Sequence, residues 1–203
     1  MIVRSEDIQS LIAKEIPDFV QTEEPKELEG GNLNYVWRLQ GEQQNLVIKI
    51  APPYIAANPD VPLSPDRINF EAKALQLFRK ENPLHSIQSN RIRPPEIVLF
   101  DPGRHLLIME DIGTQPHLGE IDINALNISN FGSMLGRFIG NIHRETYQNE
   151  VIKQGFNNAD IQQTRKKVQY NPTADYLQET GAGDGDSNLI SRKTKALGQA
   201  LLE

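Results

Sequence analysis

The chain has 203 residues, is 38% hydrophobic and 24% charged, and carries a formal net charge of −6. That composition suits one or two packed domains and argues against nucleic acid or an anionic membrane as the main partner. Cysteine is absent, which excludes a disulfide framework, a thiolate metal site and a cysteine nucleophile. No apolar run approaches the ~18 residues of a membrane span, and MIVRSEDIQSLIAKEI has no signal-peptide core, so the sequence reads as cytoplasmic.

In chain order, Ser5 with Glu6 and Asp7 predicts a capped helix start. Ile8, Leu11, Ile12 and Ile16 give that helix one apolar face, and Pro17 ends it. Residues 29–39, EGGNLNYVWRL, place glycines and asparagines at the mouth of a strand. A plain hairpin turn and a loop lying over a phosphate both fit that pattern. The runs 35–40 (YVWRLQ) and 46–50 (LVIKI), joined by GEQQN, predict an antiparallel hairpin. Proline-rich APPYIAANPDVPL predicts an extended loop. Ser64-Pro65-Asp66-Arg67 then opens a helix whose buried stripe is Ile68, Ala72, Leu75 and Phe78.

A second hairpin is expected from 97–100 and 105–109 around Asp101-Pro102-Gly103. After MEDIG (109–113) β-propensity ends, and a helix follows over 128–143 with Ile128, Phe131, Leu135, Phe138 and Ile142 on one face. Gly132, Gly136 and Gly140 recur every fourth residue in it, which predicts a close helix contact. Residues 180–188 read as a flexible loop and 189–203 as a last helix. The chain is therefore α+β without internal repeats. A boundary near 112–120 divides it into an N-terminal unit of residues 1–113 and a helical unit of residues 114–203.

Strand alternation places Leu46, Ile48 and Ile50 on one face of LVIKI, and Val47 with Lys49 on the other. A lysine there reaches either water, as an edge-strand residue, or an anion. Glu71 lies beside Ile68 and Leu75 on the stripe of the following helix and is a candidate partner. The alternative is a surface glutamate paired with Arg67 or Lys73. Glycine loop, strand lysine and helix glutamate, in that order, compose the nucleotide-cradling half of a protein-kinase-like lobe, and MEDIG stands where its hinge would meet adenine.

GGNLNYVW, VIKIAPPYI, PLSPDRINFEAKAL and LLIMEDI resemble the methylthioribose kinases, within the aminoglycoside-phosphotransferase-like group, over roughly residues 28–143. The resemblance implies a protein-kinase-like fold: an antiparallel-sheet N-terminal lobe followed by the start of a helical C-terminal lobe. It implies ATP and magnesium as cofactors, and transfer of phosphate to a small-molecule hydroxyl, methylthioribose first. By position, Gly30, Gly31, Asn32, Leu33 and Asn34 belong to the nucleotide loop, Lys49 is the phosphate lysine and Glu71 its partner. Glu110 and Ile112 supply the adenine-facing hinge backbone.

The sequence also departs from the family. NPDVPL lacks the tryptophan usual before Pro-Leu, and Lys49-Ile50-Ala51 stands where the family has Lys-Gln-Ala. Two stretches imitate the catalytic and magnesium-binding aspartates. His143-Arg144-Glu145 is followed five residues on by Glu150, not asparagine, and reads as the end of an apolar helix. Asp184-Gly185-Asp186 reads as a solvated loop, and Lys195 occupies the position an EF-hand reserves for glutamate. No catalytic or metal-binding residue is assigned. In the family the catalytic loop follows a helix like SRKTKALGQALLE, with which this chain ends. The expectation is the N-terminal part of a small-molecule kinase, inactive alone. The alternative is a non-catalytic nucleotide-binding or interaction module of pseudokinase type. Oligomeric state is left unassigned.

Overall fold

The computed structural model describes residues 4–29, 31–113, 120–122, 127–166, 192, 193 and 196. Helix α1 spans Ser5–Glu15, with Ile8 and Ile12 buried. Its cap differs from expectation, because Arg4 holds the N-cap position and Ser5 is already helical. The Asp7 carboxylate accepts the Arg4 backbone N–H at 2.9 Å, so an acid inside the first turn satisfies the end that a serine hydroxyl was expected to satisfy. The Ser5 hydroxyl turns instead toward Glu24 Oε2 at 3.4 Å. The helix closes one residue before the Ile16-Pro17 pair, where proline excludes its predecessor from the helical region.

Strands β1 (Lys26–Glu27), β2 (Tyr35–Leu39) and β3 (Leu46–Ile50) follow, then β4 (Tyr54–Ile55) and β5 (Asn58–Pro62). After helix α2 (Arg67–Gln76) come β6 (Ile97–Asp101) and β7 (Leu106–Glu110). Five strands form one antiparallel sheet in the order β1-β2-β3-β7-β6, and β4 and β5 form a separate ribbon. The proline-rich stretch expected as an extended loop therefore contains a small hairpin. A two-stranded ribbon leaves each strand one open edge, where proline removes no ladder bond.

Both faces of the sheet are covered. Trp37, Leu39, Leu46, Ile48, Leu106 and Ile108 pack with Ile8 and Ile12 of α1. Leu107, Met109 and Ala51 pack with Ile68 and Ala72 of α2. Pairing fixes the alternation: Trp37, Ile48 and Ile108 lie in one row across three strands, and Val36, Lys49 and Leu107 in the adjacent row. The β6–β7 turn uses His105 (φ 52°), not Gly103, as its left-handed residue, and the Asp101 carboxylate accepts the Arg104 N–H at 3.0 Å to close it.

A short 3₁₀ turn at His85–Ile87 precedes the helices α3 (Ile128–Thr146), α4 (Glu150–Gly155) and α5 (Ala159–Arg165). Each of the three is capped by an asparagine side chain, from Asn127, Asn149 and Asn158. Helix α3 runs past residue 143, so His143, Arg144 and Glu145 are helical, and Arg144 pairs with Glu145. A Cβ added at Gly132, Gly136 or Gly140 would meet no described atom within 4 Å. The close helix contact expected of these glycines is therefore not made among the described residues. Phe138 of α3 instead stacks on Phe78 beyond the end of α2, with ring centroids 5.9 Å apart.

Asp184, Asp186 and the loop 180–188 lie outside the described residues, as does most of 189–203. Among the described residues, every strand precedes residue 111, and no helix is long and apolar enough to cross a membrane.

Ile48 is fully buried at the centre of the first core, whereas Val98 on β6 is 39% exposed. Ile48→Ala is expected to lower unfolding free energy by about 3 kcal/mol, and Val98→Ala by less than about 0.5 kcal/mol. Urea denaturation followed by circular dichroism checks both. Equal losses would mean that the sheet does not carry the core described.

Candidate nucleotide site

Strand β3 lies between β2 and β7, so Lys49 is on the central strand and not on an edge. Alternation turns it toward α2, and there its ammonium forms an ion pair with Glu71 Oε1. Both side chains are about one-third exposed or less, so the pair sits at the margin of the second core. The other partners considered for Glu71 are engaged elsewhere. Lys73 lies over the Phe70 ring and donates to the Gly155 carbonyl at 3.4 Å. Arg67 is buried.

Arg67 donates to six oxygens, all of them neutral. Nε reaches Asn34 Oδ1 (2.9 Å), and Nη1 reaches the carbonyls of Pro52 (2.8 Å), Ser64 (2.8 Å) and Leu63 (3.4 Å). Nη2 reaches the carbonyls of Leu33 (2.6 Å) and Tyr54 (3.3 Å). Burial pushes its pKa down to about 10, and it stays protonated at neutral pH.

The glycine loop is tied down from the same side. Ala57 N–H donates to the Asn32 carbonyl at 3.0 Å, and Ala56 N–H to the Leu33 carbonyl at 3.4 Å. Gly31 is exposed and has no left-handed φ, and an added Cβ would touch only Val36 Cγ2, at 3.7 Å. Neither turn geometry nor internal packing demands a glycine at this position. Gly30 lies outside the described residues. At the loop tip, a cavity of about 770 Å³ is lined by Asn32, Leu33, Ile55, Leu63 and Ile161, among others.

Val36 connects these parts, lying against Gly31 and pairing in register with Lys49. Farther along the same face, Arg38 of β2 reaches the segment after β7. Its Nε lies 2.8 Å from Asp111 Oδ2, and Nη2 donates to Asp111 Oδ1 and to the Gly113 carbonyl, each at 3.3 Å. Gly113 (φ 117°) returns its N–H to Asp111 Oδ1 at 3.1 Å, and Asp111 N–H donates to the Asn45 carbonyl.

Glu110 faces the other way. Arg93 holds its carboxylate through two bonds of 2.5 and 2.6 Å and keeps its pKa below the usual glutamate range. Glu110 N–H donates to the Glu96 carbonyl at 2.8 Å, while Glu96 N–H donates to Glu110 Oε2 at 3.2 Å. Ile112 is 64% exposed.

Lys49 and Glu71 thus meet on the α2 face of the sheet, Gly31 lies against Val36 of the same face, and the loop is held by Arg67 and not by the ion pair. Sequence reasoning missed Arg67 as an anchor and Arg38 with Asp111 as a brace. The only signal for Arg67 is its place at a helix start after a proline-rich stretch.

The curated proteins that this chain resembles include small-molecule kinases. It is 26% identical over 155 residues to the 4-hydroxytryptamine kinase of Psilocybe cyanescens, covering 71% of this chain and 43% of that protein. It is 32% identical over 119 residues to the methylthioribose kinase of Bacillus cereus strain AH187, covering 57% of this chain and 28% of that protein. No family model matches. The chain spans less than half the length of these relatives.

The Asp111 side chain is only 2% exposed, so removing its cation leaves a buried charge. Arg38→Ala is expected to destabilise by about 3 kcal/mol, against less than about 1 kcal/mol for Arg93→Ala at the exposed pair. A depressed carboxyl stabilises the fold above the ordinary glutamate range and loses that contribution as pH falls through its lowered value. Arg93→Ala should therefore return the Glu110 titration to the ordinary range, as read by carboxyl-detected NMR. An unmoved titration would contradict the assigned cause.

Proposed function

We propose that this chain carries the nucleotide-binding part of an ATP-dependent small-molecule kinase of protein-kinase-like fold. Residues 1–113 would form the nucleotide lobe, and residues 114–203 the beginning of the helical lobe. The observation that carries the reading is the ion pair between Lys49 on a central strand and Glu71 on α2. Lys49 would hold phosphate oxygens as a point charge, and Glu71 would fix its position between turnovers of ligand.

Gly31 supports the phosphate-cover reading over the plain turn. A glycine that its own fold does not require is explained by close approach of a ligand to the backbone. Glu110 and Ile112 would meet the base through backbone groups. Bound ATP supplies the transferable phosphoryl group, and the residues here bind and orient it. No residue of this chain is assigned to magnesium.

The acceptor is a small-molecule hydroxyl, with methylthioribose and 4-hydroxytryptamine, named by the two relatives, the first to try. The apolar cavity at the loop tip suits an acceptor with an apolar portion, which both possess. His143-Arg144-Glu145 is helical, and this supports the expectation that residues 1–203 alone bind ATP without transferring phosphate. Binding without transfer is also what a non-catalytic nucleotide module does.

Isothermal titration of residues 1–203 with ATP tests the site. Lys49→Ala should weaken binding by about tenfold, and unchanged binding would overturn the assignment. Radiolabelled ATP with methylthioribose tests the second expectation, and robust turnover by these 203 residues would overturn it.

A further inference from the structure

Arg67 and Glu71 stand four residues apart on α2, one helical turn along the same side. The first holds the glycine loop through Leu33 and Asn34, and the second holds Lys49. Arg67 is a buried charged residue, and its six acceptors are spread from residue 33 to residue 64. Five carbonyl dipoles from three backbone segments compensate one guanidinium, a use of planar forked geometry that an ammonium cannot reproduce. Ala56 and Ala57 grip the same loop through Asn32 and Leu33, so the loop hangs from the β4–β5 ribbon and α2 together.

We propose that Arg67 is a positioning residue for the phosphates of the nucleotide. It sets the height of the Gly31–Asn34 backbone above Lys49, so that one helix places both the cover and the cation. Arg67 does not touch the ligand. This rests on the nucleotide reading above, and it assigns Arg67 to the phosphate end of the ligand and not to the base.

Titration of the 203-residue chain with ATP and, separately, with adenosine tests it. The variants are Arg67→Met, Arg67→Lys and Asn34→Ala, and amide hydrogen exchange at Ala56 and Ala57 is measured in parallel. Arg67→Met should bind ATP roughly tenfold more weakly and adenosine within about twofold of wild type. Arg67→Lys should recover part of the loss, and Asn34→Ala should show a smaller loss of the same kind. Exchange at Ala56 and Ala57 should quicken in all three variants as their acceptors loosen.

If Arg67→Met does not fold, Asn34→Ala carries the test, because it leaves α2 intact. Equal loss of ATP and adenosine, or wild-type binding of ATP by both Arg67→Met and Asn34→Ala, overturns the proposal. If the wild-type chain binds neither ligand, the nucleotide reading fails, and the exchange measurement still decides the tether. Unchanged exchange at Ala56 and Ala57 overturns it.

Discussion

A charged side chain on the central strand of a sheet covered on both faces must either reach an anion or be excluded from the fold. That constraint organises the N-terminal half. Strand β3 gives one face to α1 through Leu46 and Ile48 and the other to α2 through Val47. Lys49 falls on the second face, where α2 is the covering element, so the anion comes from α2. Burial of Ile68 and Ala72 sets the rotation of that helix about its axis, and the same rotation turns Glu71 to Lys49. The first residue of the helix is then committed to the loops gathered at its N-terminal end.

Much of this was legible because it depends on period and order. LVIKI announces its two faces, the IVLF and LLIM runs announce a hairpin, and the 68–72–75 spacing announces α2, whereas Phe78, expected on the same stripe, lies beyond its end. The Lys49–Glu71 pair followed from combining the two periods. Arg67 was not legible, because five of its six partners are backbone carbonyls from three separate segments, and no sequence pattern marks a carbonyl as an acceptor. The β4–β5 ribbon was hidden by its prolines, which forbid a central strand but not a two-stranded one. The three glycines of α3 were read as a packing signal, and in the described structure nothing packs on them.

The relatives are kinases by name, and the geometry alone names no reaction. Two matches, to kinases acting on a hydroxytryptamine and on methylthioribose by name, agree on phosphate transfer and differ in the acceptor. The described structure varies in the same direction. The lysine is bonded to the glutamate and the loop to Arg67, whereas α3 leaves Ile128 55% and Ile139 43% exposed. A phosphate site requires a few fixed charges and N–H groups. An acceptor pocket depends on shape, and shape is what differs among proteins that share the first part.

The end of β7 shows how a fixed backbone group can be produced. In an antiparallel ladder, a hydrogen-bonded pair exchanges two N–H···O bonds. Glu110 and Glu96 exchange only one, because Glu96 N–H donates to the Glu110 carboxylate instead of to its carbonyl. Arg93 keeps that carboxylate in place with two short bonds. The ladder is therefore interrupted by the side chain of the residue whose carbonyl the proposed function needs for a base. On the next residue the opposite arrangement holds, since Asp111 N–H is bonded to Asn45 and its side chain is locked to Arg38. Two adjacent carboxylates, turned to opposite sides by strand alternation, thus serve different ends. The buried one fixes the path of the chain into Gly113, and the exposed one relieves a carbonyl of its partner.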